Sequence, residues 1–248
     1  MKTAALKIEK VSKSFSGLQI LDRIDIDICK GERHAIIGPN GAGKSTLFNI
    51  ITGLHRPSSG RLFFFGNDIT RKSIHKIARL GICRSFQIIN VFPEMSVLEN
   101  VRNAIVSKFD RRFNWLSFLN SDEKINKEAN RILDLCELGD VKNSPASQLS
   151  YGLQRKLELA LVIAPDPILI LLDEPTAGLN VEETRDAIKL IRQVTEGKTL
   201  VIIEHDMEVV FSLADRITVL NFGKILVTGT PDQIRMSKEV KDAYLGRE

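Results

Sequence analysis

The chain has 248 residues, and its shares of hydrophobic (43%) and charged (27%) residues are ordinary for a soluble globular protein. The net charge of +4 is small and scattered, and basic pairs such as Arg71-Lys72 and Arg111-Arg112 indicate solvated surface, so no nucleic-acid partner is expected. Three cysteines lie far apart without C-x-x-C spacing, which predicts free thiols in a reducing compartment. Because no apolar run approaches a membrane helix and the first residues lack a signal-peptide core, we expect a cytoplasmic protein.

The first 70 residues predict a small β-layer. Residues 24–28 alternate strictly between isoleucine and aspartate, which is typical of a half-buried antiparallel strand. Residues 61–66 predict a second strand that ends at glycine.

A phosphate-binding loop interrupts this layer. Residues 38–45 match G-x-x-x-x-G-K-[ST], with an apolar strand predicted over 34–37 and a helix over 46–52. Backbone N–H groups of such a loop and the helix N-terminus surround phosphate, while Lys44 can reach the β- and γ-phosphates and Ser45 can hold Mg²⁺. A glycine-rich connecting loop would leave Lys44 beside Ser45 unexplained. The candidate nucleotide-binding residues are Gly38, Pro39, Asn40, Gly41, Ala42, Gly43, Lys44, Ser45 and Thr46.

The middle of the chain is predicted to be helical, from about residue 96 to 138. Residues 168–172 are wholly apolar, as in a parallel strand buried on both faces, and Asp173 and Glu174 follow directly. At the carboxyl edge of an α/β sheet, Asp173 can steady Mg²⁺ through its water shell and Glu174 can orient or deprotonate an attacking water. Two solvated carboxylates at an ordinary strand end are the alternative.

The last elements complete an α/β pattern. Asn180 is predicted to cap a helix, residues 199–203 predict another buried strand, and residues 217–228 predict a hairpin that turns at 221–224. Strands that alternate with helices indicate an α/β fold with helices inserted in mid-chain.

Several further motifs resemble those of the ABC-transporter ATPases, and the resemblance covers nearly the whole chain from about Leu6. They are the signature sequence at residues 149–152, Gln87 of the glutamine loop, residues 177–180 in the loop after the catalytic glutamate, the switch histidine His205, and Phe15, the aromatic residue that stacks on adenine. The resemblance implies a P-loop NTPase core with a mostly parallel sheet, an antiparallel β-subdomain and an inserted helical subdomain. The domain would span 6–246, with the helical subdomain at about 88–163.

The resemblance also implies roles and partners. Lys44, Glu174 and His205 would be catalytic; Phe15, Gln87, Ser150 and Gly152 would contact ATP; and Ser45, Gln87 and Asp173 would serve Mg²⁺. Ser150 and Gly152 open a predicted helix, whose N-terminus is an anion site. In family members this helix faces ATP held by another subunit, so two chains, identical or paralogous, close head to tail. Integral membrane permease subunits would hold the dimer at the cytoplasmic face of the membrane.

Two positions depart from the family pattern. Leu153 stands where the family usually has Gln or Glu, and Asn180 stands where it usually has Asp. An apolar side chain at 153 cannot donate to a phosphate, so basal turnover could be low. Alternatively, Leu153 packs against the helical subdomain and Gln154 supplies the polar contact.

Finer features resemble the branched-chain amino acid importer ATPases. They are residues 81–87 and 91–101, the tyrosine of the signature, and the tail at 239–246. An ABC-transporter ATPase for urea, short amides or lipopolysaccharide differs only in cargo, and a soluble iron–sulfur assembly ATPase is a more distant alternative. The aromatic stretch 109–119 packs either against the membrane subunit or within the helical subdomain.

Overall fold

The computed structural model describes residues 3–85, 91–106 and 118–245. The chain divides into two compact units. The sheet unit comprises Met1–Arg84, Ile168–Glu174 and Thr195–Glu248, and the helical unit comprises Ser85–Pro167 and Pro175–Val194. The predicted boundaries of the domain and of its helical subdomain stay predictions.

The strands of the described residues all belong to the sheet unit. They are β1 (Ala4–Phe15), β2 (Leu18–Cys29), β3 (Arg33–Ile37), β4 (Ser59–Phe64), β5 (Asn67–Asp68), β6 (Ile82–Arg84), β7 (Leu169–Asp173), β8 (Thr199–Ile203), β9 (Arg216–Asn221) and β10 (Lys224–Gly229). The helices of the sheet unit are α1 (Lys44–Ile51), α2 (Ile74–Arg79), α7 (Met207–Leu213), α8 (Pro231–Met236) and α9 (Lys238–Leu245). Those of the helical unit are α3 (Val97–Val106), α4 (Phe118–Leu135), α5 (Tyr151–Ile163) and α6 (Val181–Val194).

An antiparallel sheet with the order β2-β1-β4-β5 forms the predicted β-layer. The isoleucines of β2 at 24, 26 and 28 are buried and the aspartates between them are exposed, which confirms the half-buried strand. The sequence pattern did not predict β1. Its pairing with β2 shifts register at several points, so its buried residues do not follow a two-residue period. One irregularity lies at Lys10, whose backbone has φ +46 and whose N–H donates to Asp25 Oδ1 at 2.9 Å.

A six-stranded sheet with the order β10-β9-β3-β8-β7-β6 forms the second layer. Strands β9, β3, β8, β7 and β6 run parallel to one another, and only β10 is antiparallel. Every residue of β7 and β8 is buried, which confirms two apolar strands covered on both faces. Because these strands are parallel, the residues that follow β3, β6, β7 and β8 meet at one carboxyl edge.

The helical unit confirms the mostly helical middle of the chain through α3 and α4. Asn180 caps α6 as predicted, since its Oδ1 accepts from the Glu183 N–H at 2.9 Å and the Glu183 carboxylate accepts from the Asn180 N–H at 3.0 Å. Most of the aromatic stretch 109–119 lies outside the described residues. In the described part of the chain, no helix is both long and apolar enough to cross a membrane.

Candidate nucleotide-binding site

The phosphate loop joins β3 to α1, as predicted, and two neighbouring strands pack closely against it. A Cβ on Gly38 would lie 2.2 Å from the carbonyl oxygen of Leu220 in β9, and one on Gly43 would lie 2.6 Å from Leu21 Cδ2 in β2. The N–H of Gly223, in the β9–β10 turn, donates to the Ala42 carbonyl at 3.2 Å. Glycine is therefore required where β2 and β9 approach the loop.

Lys44 begins α1 and is only 8% exposed. Its ammonium donates to the carbonyl oxygens of Gly38 at 2.7 Å and Pro39 at 3.1 Å, across the loop. Burial lowers the pKa of Lys44, while the negative charges of Glu174 and Asp173 act in the opposite direction. The adjacent Ser45 is exposed, so its hydroxyl is accessible to a ligand.

Asp173 and Glu174 end β7 at the same edge. Asp173 is 3% exposed, whereas Glu174 is only partly buried. The backbone of Glu174 has φ +49, an uncommon conformation for a residue with a side chain, and its N–H donates to the Ile203 carbonyl of β8 at 2.9 Å. Such local strain is frequent at functional sites, because the surrounding structure must hold it in place.

His205 follows β8 and faces the same carboxylate. Its Nδ1 lies 3.9 Å from Glu174 Oε1 and 3.8 Å from Glu204 Oε2, and its side chain is 64% exposed. The structure thus brings Lys44, Asp173, Glu174 and His205 together at one edge of the parallel sheet.

Phe15 ends β1 with 39% of its surface exposed. The His55 ring meets it edge-on, with centroids 5.3 Å apart, and the Lys13 ammonium lies 4.6 Å from its ring centroid. An exposed aromatic ring held from the side can stack on a planar base.

Ser150 and Gly152 lie at the start of α5 in the helical unit. Ser150 is the N-cap residue of α5, and its side chain accepts no bond from the first turn. Tyr151 between them donates from its hydroxyl to the Ala177 carbonyl at 2.9 Å and accepts from Arg155 Nη2 at 2.6 Å. Gln87, the remaining predicted ligand, lies outside the described residues.

Sequence reasoning assigned no role to Arg84, the last residue of β6. Its Nη2 lies 2.7 Å from Asp173 Oδ2, and its Nη1 donates to Asn49 Oδ1 of α1 at 2.6 Å. The sequence does contain a signal for this residue. A charged residue that ends a short strand of a parallel sheet falls at the same sheet edge as Asp173.

A strand, a glycine-rich loop and a helix, with an Asp-Glu pair at the end of a neighbouring parallel strand, define a P-loop nucleotide-binding ATPase. The family model described as ABC transporter matches residues 21–177. The chain is 36% identical to the high-affinity branched-chain amino acid transport ATP-binding protein BraF of Pseudomonas aeruginosa, with 99% of both chains covered. It is 35% identical to the corresponding LivG protein of Escherichia coli, again with 99% of both chains covered.

Solved structures agree with these relatives. The ADP conformation of MJ1267, an ATP-binding cassette of an ABC transporter, matches with a TM-score of 0.85 and 30% identity, covering 98% of this chain and 99% of that one. A dimeric post-hydrolysis state of the cassette MJ0796 bound to ADP and Pi matches with a TM-score of 0.78 and 28% identity, covering 91% and 98%. The chain therefore belongs to the ABC transporter family, as an ABC-type ATPase homologous to proteins named as branched-chain amino acid transport ATP-binding proteins.

Proposed function

We propose that the chain is the ATP-hydrolysing subunit of an importer for branched-chain or other hydrophobic amino acids. The observation that carries this proposal is the convergence of Lys44, Asp173, Glu174 and His205 at one sheet edge, in a chain that matches BraF and LivG over nearly its full length. Integral membrane permease subunits would hold it at the cytoplasmic face of the membrane.

Lys44 and the loop N–H groups would bind the β- and γ-phosphates. Because the Lys44 ammonium already lies across the loop, bound to two carbonyl oxygens, it needs only a small movement to exchange a carbonyl for a phosphate oxygen. The loop is held by β2 and β9, so little conformational entropy is lost when phosphate binds. Phe15 would stack on adenine.

The donor set fits Mg²⁺. Ser45 offers an exposed hydroxyl and Asp173 a buried carboxylate, and Gln87 would add an amide. When bound, Mg²⁺ would neutralise phosphate charge.

Glu174 would orient the attacking water and accept its proton, and His205 would hydrogen-bond the γ-phosphate. Their separation of 3.9 Å leaves both side chains able to face one ligand, and both are accessible to solvent. Positioning and charge neutralisation of this kind supply most of the catalysis in phosphoryl transfer.

Ser150 and Gly152 would contact ATP bound to a second chain, identical or paralogous. The first turn of α5 supplies N–H groups there, and the Ser150 side chain is not engaged in capping them. The dimeric MJ0796 cassette supports a two-chain arrangement. Closing around ATP and opening after hydrolysis would be the movement passed to the permease.

The first test is nucleotide-driven dimerisation. Glu174→Gln should stop hydrolysis but keep the shape of the site, so size-exclusion chromatography should show a dimer with ATP and a monomer with ADP. Lys44→Ala is the matched control, and calorimetry should show that it loses on the order of 2–4 kcal/mol of ATP binding. A Glu174→Gln protein that stays monomeric at saturating ATP would refute the role of Glu174.

The second test concerns the cargo. Cells that lack the chain should lose uptake of labelled leucine, and the wild-type chain should restore it where Glu174→Gln does not. Uptake of labelled urea in the same cells is the control. Loss of urea uptake with leucine uptake intact would support the alternative cargo.

A further inference from the structure

A buried arginine lies beside the aspartate that ends β7. Arg84 and Asp173 have side chains that are 9% and 0% exposed, and Nη2 is 2.7 Å from Oδ2. The two residues occupy the carboxyl ends of neighbouring parallel strands, where Arg84 pairs in register with Leu171. The contact is therefore fixed by sheet register as well as by charge.

The same guanidinium also reaches the helix that follows the phosphate loop. Nη1 donates to Asn49 Oδ1 at 2.6 Å, and the guanidinium carbon lies 5.3 Å from the centroid of the Phe48 ring. One planar side chain thus connects β6, β7 and α1. Lysine could not reproduce this arrangement, because an ammonium group has no fork that meets two acceptors in one plane.

Charge explains why a cation is needed at this place. A carboxylate removed from water is costly unless a positive charge and hydrogen bonds compensate it. Lys44 also attracts Asp173, but its ammonium donates to the carbonyls of Gly38 and Pro39. Arg84, by contrast, is in direct contact with the carboxylate. Its Nε is buried and has no hydrogen-bond partner among the described residues, so the side chain is held through Nη1 and Nη2.

We propose that Arg84 is a positioning residue of the nucleotide site, which acts as the internal counter-ion of Asp173 and shares this carboxylate with Mg²⁺. The inference rests on the proposed function for the role of Asp173. It predicts that Arg84 and Mg²⁺ compensate the same negative charge, so that removal of the arginine makes the protein dependent on the metal.

The test is a melting experiment without nucleotide, in EDTA and in excess Mg²⁺. Wild-type protein should melt at nearly the same temperature in both. Arg84→Met keeps an unbranched apolar chain without the charge, and it should melt roughly 5–15 °C lower in EDTA. Mg²⁺ should restore most of that loss. An equal loss in EDTA and in Mg²⁺ would mean that Arg84 only packs against Phe48 and Asn49, and would overturn the proposal.

A double variant keeps the test decisive if Arg84→Met folds poorly. Arg84→Met with Asp173→Asn removes both charges, so it should melt well above the single variant in EDTA and should not respond to Mg²⁺. A double variant as unstable as the single one would contradict the counter-ion role.

A binding readout separates this inference from the proposed function. With a fluorescent ATP analogue, the Mg²⁺ concentration for half-maximal binding should fall severalfold in Arg84→Met, because no guanidinium competes for Asp173. An unchanged midpoint would overturn the inference and leave the assignment of the ATP site standing. Failure of wild-type protein to bind the analogue at all would count against the proposed function, while the melting result would still decide the role of Arg84.

Discussion

The phosphate loop of the sheet unit and the start of α5 in the helical unit are both proposed to bind phosphate, but different interactions hold them. The loop is fixed by main chain, since Leu220 and Gly223 of the C-terminal hairpin contact Gly38 and Ala42. The start of α5 is fixed by side chains near the surface, where the Tyr151 hydroxyl joins Ala177 to Arg155.

This difference predicts how each region responds to substitution. Main-chain contacts in a packed interior leave no room for an added atom, so the loop should be sensitive to a single methyl group. Exposed hydrogen bonds contribute about 1 kcal/mol each, so the loss of one such bond at the start of α5 should change the affinity for ATP only modestly. The phosphate loop is therefore expected to tolerate little change, whereas substitutions at the start of α5 should alter phosphate binding gradually.

The largest effect is expected for Gly38→Ala. The new Cβ would lie 2.2 Å from the Leu220 carbonyl oxygen, so either the loop or β9 must move. We expect a loss of roughly 2–4 kcal/mol in unfolding free energy and a fall in ATP affinity on the order of 100-fold. Urea unfolding and calorimetry measure the two quantities.

Gly66→Ala is the matched control for this substitution. Gly66 has φ +77, and a Cβ there would meet nothing within 4 Å. Only backbone strain of about 1 kcal/mol is expected, with ATP affinity unchanged. If both alanines behave alike, close packing does not hold the loop.

The next effect concerns a buried polar network around Glu32 and His34, at the start of β3. Glu32 Oε1 lies 2.8 Å from His34 Nδ1, and Glu32 Oε2 accepts from the Cys29 N–H at 2.9 Å. Burial alone would raise the pKa of Glu32, but the bonds from His34 and Cys29, with the charge of Arg216, lower it to about 2 from an ordinary value of 4.5. Because the pKa is lower in the folded state, this stabilisation is present above pH 4.5 and is lost as the pH falls toward 2.

Glu32→Gln should therefore lower the unfolding free energy by about 3 kcal/mol at neutral pH, with the difference from wild type shrinking below pH 4.5. Denaturant unfolding across this pH range checks the prediction. Glu99→Gln in the helical unit is the comparison. Glu99 makes exposed hydrogen bonds to Ser96, which lower its pKa, and its substitution should lower the unfolding free energy by less than Glu32→Gln does. A larger effect at Glu99 would reverse the contrast between the two units.

The smallest effect is expected for Leu153→Gln. Leu153 is partly buried in α5, and the neighbouring Gln154 side chain donates to the Leu149 carbonyl at 3.0 Å. These contacts favour packing, so we expect a loss of about 1 kcal/mol, a melting temperature lower by roughly 2–4 °C and no gain in ATPase rate. A severalfold rise in steady-state turnover would instead show that Leu153 limits closure of the dimer.

Local patterns were enough to predict the strand, loop and helix around Lys44 and the buried strand before Asp173. Their signals lie within about ten residues of sequence, where apolar runs and glycine positions decide the structure. The sequence did not reveal β1, because its irregular register breaks the two-residue period. Nor did it reveal the pairs Arg84–Asp173 and His34–Thr218, which join residues 89 and 184 positions apart and depend on strand order.

The position of β3 in the sheet has a consequence for synthesis on the ribosome. Both neighbours of β3 come from the last part of the chain, and so does the turn that contacts Ala42. At translation rates of roughly 5–20 residues per second, the phosphate loop leaves the ribosome roughly 10–35 s before β9 and the β9–β10 turn do. During that interval β3 has two open edges and α1 has no complete sheet to pack on. A nascent chain should therefore gain ATP binding late and abruptly, when β9 and β10 emerge.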